Sequence, residues 1–189
     1  MNMVQPVKTL NCIDYKCPLP QVQAKEALGQ IEDMEIIEIL TTDVDAEKEL
    51  KKWTKQTGDF YLSTEKKGDH VAHFIQKAPS HRRNEEKGFP KVISNDELAQ
   101  QLLHGESFVL LDVREEIEFI IGHISSAVNI PLGDVKDQID NLDKEQTYYM
   151  ICRTGNRSDF ACQMLAEKGF SNVYNVLPGM SEWDGEIVD

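Results

Sequence analysis

The stretch that most constrains this chain is "APSHRRNEEKGFP", Ala78 to Pro90. It mixes proline, glycine, serine and charges of both signs and carries no hydrophobic periodicity, which is linker composition. A length of 189 residues allows one large domain or two small ones, and this break decides for two. The expected division is a first domain over 1–77, a linker over 78–89 and a second domain over 90–189. His81, Arg82 and Arg83 make a small basic run in the linker. It reads as a solvated segment, with a docking patch for an acidic partner as the alternative.

Before the linker the order reads strand, helix, strand, helix, strand, strand. "VKTLN" is a short strand, and "PLPQVQAKEALGQI" is a helix with Pro18 at its first position, where a missing N–H costs nothing. "EIIEILTT" is the second strand. "DAEKELKKWTKQTG" puts Ala46, Leu50, Trp53 and Thr57 on one helical face, with Gly58 as its C-cap. "DFYLSTEKKGDHVAHFIQK" alternates, turns at Lys67-Gly68 and alternates again, a β-hairpin. The expected fold is a two-layer α/β sandwich, two helices on a four-stranded sheet.

After the linker, short apolar strands alternate with helices. "SFVLLDVR", "AVNIPL", "TYYMICR" and "NVYNVLPG" are the strands; "SNDELAQQL" and "SDFACQMLAEKG" are the clearest helices. Ser94 and Glu97 make a capping box. Continuous apolar strands separated by helices imply a parallel sheet covered on both faces, a three-layer α/β domain.

Composition narrows the partners. A formal charge of −13 argues against nucleic acid and against docking on an anionic membrane. Apolar runs such as "FVLL" are strand-sized, far short of a membrane span. "MNMVQPVKTL" has no apolar signal core, so the cytoplasm is the expected compartment. The cysteines, 12, 17, 152 and 162, are then expected to be reduced. No metal is expected, because Cys12 and Cys17 lack a second ligand pair and His70 and His73 lie in a strand pattern.

"CRTGNRS", Cys152 to Ser158, puts a thiol at a strand-to-helix junction with Arg153 and Arg157 beside it and Gly155 to bend the loop. The helix dipole, converging N–H groups and the arginines all favour thiolate. In such settings a cysteine pKa falls from about 8.5 to roughly 3.5–7.5, so Cys152 is expected to be a nucleophile. Cysteine phosphatases place five residues between cysteine and arginine; here only Arg-Thr-Gly-Asn intervenes. The smaller ring suits a single terminal sulfur better than a phosphoryl group.

With "LLDVREEIEF", "GHISSAVNIPL" and "VLPGMSEW" in the same order, the second half resembles a single rhodanese domain over Phe89 to Asp189. The resemblance implies that Cys152 accepts a sulfane sulfur, holds it as a persulfide and passes it on. Arg153, Thr154, Gly155, Asn156, Arg157 and Ser158 would form the binding loop. Asp112, Arg114 and His123 read as structural support. Two positions depart from the family: Met180 stands where a second glycine is common, and Ser125-Ser126 where proline-glycine is common.

"CPLP" places Cys17 at the expected N-cap of the first helix, where orphan N–H groups favour thiolate. With "LTTD" and the hairpin, Val7 to Lys77 resembles the TusA-like sulfur-carrier family. That implies a Cys17 that carries persulfide sulfur between proteins. The approach here, Leu10-Asn11-Cys12-Ile13-Asp14, lacks the family's usual glycine and gains Cys12. Cys12 is either a half-buried small residue or a resolving thiol for Cys17. Cys162, Trp53 and Trp183 read as packing.

The chain is therefore expected to be a persulfide sulfurtransferase. Its donor would be thiosulfate, polysulfide or a persulfide, and its acceptor a thiol or sulfur-carrier protein. The relay would run from Cys152 to Cys17 within one chain or between subunits of a homo-oligomer. Thiolate attack on sulfane sulfur demands no metal or organic cofactor. The alternative is a sulfur-responsive binding or storage protein whose cysteines form persulfide or polysulfide links without efficient turnover.

Overall fold

A computed structural model describes residues 5–83, 88–105 and 107–189. The chain divides into two compact units between residues 86 and 87.

The first unit runs β1 (Lys8–Cys12), α1 (Leu19–Gly29), β2 (Ile36–Thr41), α2 (Ala46–Thr57), β3 (Phe60–Lys67) and β4 (His70–Gln76). Its sheet order is β1-β2-β4-β3, with β1 and β2 parallel and the other pairs antiparallel. Helix α2 buries Ala46, Leu50, Trp53 and Thr57, the face the periodicity marks. Glu47 and Glu49 lie in its first turn and Lys55 in its last, each complementing the helix dipole. Gly58, at φ 85°, closes it in the left-handed conformation. The buried Ile37, Ile39 and Ile75 supply the sheet side of this core. Each such side chain contributes about 1.5–3 kcal/mol by leaving water.

One local expectation is corrected. Helix α1 begins at Leu19 with Pro18 as its N-cap, so Cys17 lies one residue further out. The Leu19 N–H donates to the Lys16 carbonyl, a tight turn that delays the helix by a residue.

Ala78 to Arg83, at the start of the expected linker, is tied to the first unit. Buried Asp59 accepts from the Ala78 N–H at 2.9 Å and from the Arg83 guanidinium at 3.1 Å, and Asp33 accepts from Ser80. A buried carboxylate needs such partners, and they hold the segment in place. Arg82 stacks over the Phe60 ring. Residues 84–87 of the linker lie outside the described residues.

The second unit runs β5 (Val92–Ser94), α3 (Asn95–His104), β6 (Val109–Asp112), α4 (Glu116–Ile121), β7 (Ala127–Asn129), α5 (Leu132–Gln138), β8 (Tyr148–Ile151), α6 (Asn156–Glu167) and β9 (Val173–Leu177). All five strands are parallel, in the order β5-β9-β8-β6-β7. Ser94 and Glu97 form the capping box of α3. Every residue of β8 is buried, as a central strand covered on both faces requires. Ile93, Leu98, Leu110, Ile124, Tyr149, Ile151 and Val176 form one cluster, with Met180 and Trp183 packed against it. Strand β5 and helices α4 and α5 were not legible as elements. Strand β5 has three residues, and the two helices have six and seven.

Candidate functional site

Cys152 follows directly on β8, at the carboxyl edge of the parallel sheet, where open α/β sheets place their ligands. It is 1% exposed. The Gly155 N–H lies 3.2 Å from its sulfur, the Ser158 N–H 3.4 Å and the Ser158 hydroxyl 3.3 Å. The first turn of α6 thus aims polar hydrogens at one sulfur atom, the arrangement that solvates an anion there.

Two glycines make this curl feasible. Gly155 has φ 87°, and a Cβ on it would sit 2.2 Å from the Leu177 side chain. Gly179 has φ 94°, and a Cβ there would sit 2.5 Å from the Cys152 carbonyl. That carbonyl accepts from the Met180 N–H at 2.9 Å, and the Arg153 carbonyl accepts from Ser181 at 2.9 Å. The segment after β9 therefore underpins the loop.

Asn175 on β9 is a member of the site that sequence reasoning missed. It is 2% exposed. Its Oδ1 accepts from the Ser158 hydroxyl at 2.6 Å, and its Nδ2 donates to the Gly155 carbonyl at 3.2 Å. The available signal was one polar residue inside the apolar run "VYNVL".

The loop cations differ in their surroundings. Arg153 and Thr154 are exposed, and Asn156 is half-buried. Arg157 turns to Glu118 on α4 in a two-point pair, 2.5 Å and 2.8 Å. Burial alone would lower the Arg157 pKa, but the hydrogen bonds and charge of Glu118, together with Cys152 and Glu115, leave it above its ordinary value. The same hydrogen bonds hold the Glu118 carboxyl below the usual range. Arg114 grips buried Asp112 through Nε at 2.9 Å and Nη2 at 2.6 Å, and also donates to the Gly122 carbonyl. His123 stacks on Phe119 and bonds its carbonyl. These contacts brace the segment that carries Glu118.

In the first unit, Cys17 is 8% exposed in the turn before α1. Its N–H donates to Asp43 Oδ2 at 2.8 Å, while Asp43 Oδ1 accepts from the Asp45 N–H at 2.9 Å. The Asp14 N–H donates to the Thr42 hydroxyl at 3.0 Å. The loop between β2 and α2 thus anchors the cysteine turn. Tyr15 and Val44, on these two segments, are exposed apolar residues. Cys12 ends β1 and pairs in register with Thr41. It is 1% exposed, and burial pushes its thiol up to about 11. It is therefore protonated at neutral pH. Cys162 is fully buried, and burial raises its pKa as well.

Among the described residues, no group of three or more His, Cys, Asp or Glu could hold a metal ion, and no helix is long and apolar enough to cross a membrane.

Comparison with known proteins gives these arrangements relatives. The family described as "Sulfurtransferase TusA" matches residues 8–77, and the "Rhodanese-like domain" family matches residues 94–186. A Bacillus subtilis protein, "Putative sulfur carrier protein YrkF", is 35% identical over 97% of this chain and 99% of its own length. A second, "Putative sulfurtransferase YtwF" from the same organism, is 43% identical over 51% of this chain and 92% of its own length. A solved rhodanese-like domain protein from Staphylococcus aureus is 33% identical, covering 51% of this chain and 93% of its own, with a TM-score of 0.48. These relatives support sulfur transfer as the general activity. The chain belongs to the family that joins a TusA sulfur-carrier domain to a single rhodanese domain.

Proposed function

We propose that this protein is a persulfide sulfurtransferase in which Cys152 takes up a sulfane sulfur and Cys17 exchanges it with Cys152 or with an acceptor thiol. The observation that carries the reading is the pair of backbone N–H groups, of Gly155 and Ser158, that converge on the Cys152 sulfur, with the Ser158 hydroxyl beside it. In the first step the Cys152 thiolate attacks the outer sulfur of the donor. A new S–S bond forms, and the old bond breaks with its electron pair on the leaving group, which is sulfite from thiosulfate or a thiolate from a persulfide. In the second step an acceptor thiolate attacks the terminal sulfur and frees Cys152. Neither step needs an outside oxidant. The relay runs from Cys152 to Cys17 and on to an acceptor protein in the cytoplasm.

On this reading Arg153 to Ser158 form the loop that cradles the persulfide, and Cys17 carries the sulfur outward. Cys12, buried at the end of β1 with its thiol pushed up to about 11, serves as packing on this reading, the alternative being a resolving thiol for Cys17. Sulfur relay for biosynthesis and removal of sulfide or polysulfide use the same two steps.

Turnover with a small sulfane donor and a thiol acceptor tests the proposal against the storage alternative. Many turnovers per chain that vanish in Cys152→Ala are expected. A single loading event with no release would favour a protein that stores or senses sulfur.

A further inference from the structure

The mouth of the Cys152 loop holds less uncompensated positive charge than "CRTGNRS" suggests. Arg157 is tied at two points to the Glu118 carboxylate. That carboxylate is also held by the Glu115 N–H at 3.1 Å, within the capping box of α4, so the pair is fixed from both sides. Arg114 is committed to buried Asp112. Arg153 is the exposed cation of the loop. Burial holds the nearby Glu115 carboxyl above the ordinary range; Glu118 and Asp134 push the same way, and Arg157 opposes them. A second acidic group thus stands near the pair. On the same short helix, Ile117, Ile120 and Ile121 are 65%, 55% and 74% exposed. Arg157 therefore brings no uncompensated charge to the loop, and Arg153 remains as its exposed cation.

Sulfane donors differ most in the charge they bring. Thiosulfate is a dianion and needs cations that are not already neutralised. A persulfide on an organic or protein thiol brings at most one charge on its sulfur, plus apolar surface. We infer that Glu118 is a specificity-determining residue: by neutralising Arg157 it biases the Cys152 loop toward thiol-borne persulfides and away from dianionic donors. The inference rests on Cys152 being the sulfur acceptor. In the transfer, the Cys152 thiolate bonds to the outer sulfur of R–S–SH, the S–S bond of the donor breaks with its electron pair on the inner sulfur, and the RS⁻ thiolate leaves and takes the proton of the transferred –SH, so that Cys152 holds a persulfide anion.

The test uses the full chain. Steady-state kcat/KM is measured with thiosulfate, with glutathione persulfide and with a persulfidated cysteine peptide, for the native protein, Glu118→Gln and Glu118→Asp. Glu118→Gln should raise the ratio of thiosulfate to persulfide kcat/KM by about tenfold, chiefly through KM, because Arg157 regains an unopposed charge. Glu118→Asp should keep the native ratio. A folded Glu118→Gln variant with an unchanged or lower ratio overturns the inference. The two persulfide arms separate a small-molecule source from a protein-borne one. Should Glu118→Gln fail to fold, sulfate inhibition of the native protein at matched ionic strength decides. No inhibition beyond that of chloride supports the inference, and competitive inhibition overturns it. If no donor places sulfur on Cys152 in the native chain, the sulfurtransferase reading itself fails, which is a different result from an unmoved ratio.

Discussion

Gly155 and Asn175 show how narrowly the geometry around Cys152 is set. Gly155→Ala would place a methyl group 2.2 Å from Leu177 at a left-handed φ. The expected outcome is a loss of about 1–3 kcal/mol in the second unit, together with loss of sulfur loading. Thermal melting and intact-mass loading assays check the two halves of that statement. Asn175→Ala removes the acceptor of the Ser158 hydroxyl and one of the donors to the Gly155 carbonyl, which keeps the Asp159 N–H. It should cost about 1–3 kcal/mol and slow loading while Cys152 stays in place. A melt at native temperature with native loading would contradict the role given to Asn175. The thiol, the glycine and the arginines were legible because they lie within seven consecutive residues. Asn175 and Glu118 were not, since they reach the loop from 17 and 39 residues away, and only the folded sheet brings them there.

Among elements, those with long periodic patterns could be read and the short ones could not. The apolar face of α2 and the β3–β4 hairpin follow directly from spacing, whereas α4 exposes its isoleucines and offers no buried stripe to detect. Two elements carry testable buried polar pairs. Strand β6 ends in Asp112, fully buried against Arg114. Arg114→Ala strands that carboxylate and should cost about 3–5 kcal/mol, measured by denaturant unfolding. On β4, His73 is held between the Thr41 hydroxyl at 2.8 Å and the Tyr61 hydroxyl at 2.7 Å. Burial lowers its pKa below 6.5, Lys51 acts in the same direction, and Glu47 opposes. Its folded value thus lies below its unfolded one, so its contribution is present above about pH 6.5 and is lost as pH falls through the folded value. Stability of the first unit should therefore drop between pH 7 and 5. Glu38 and Glu118, whose pKa values are lowered from 4.5, lose their contributions only below that window. Melting temperature against pH checks this, and His73→Gln should flatten the curve.

The whole molecule joins two thiols of different setting in one chain. Tethering raises the effective concentration of one near the other when the connection can span the gap. A net charge of −13 directs the search for acceptors toward neutral or basic proteins. The most direct test of the central claim is the intact mass of the native chain, Cys152→Ala and Cys17→Ala after exposure to a persulfide donor, with thiols blocked afterwards. The account predicts added sulfur on Cys152 and on Cys17 in the native chain, with the Cys17 sulfur lost in Cys152→Ala. Sulfur that never appears on Cys152 would contradict it.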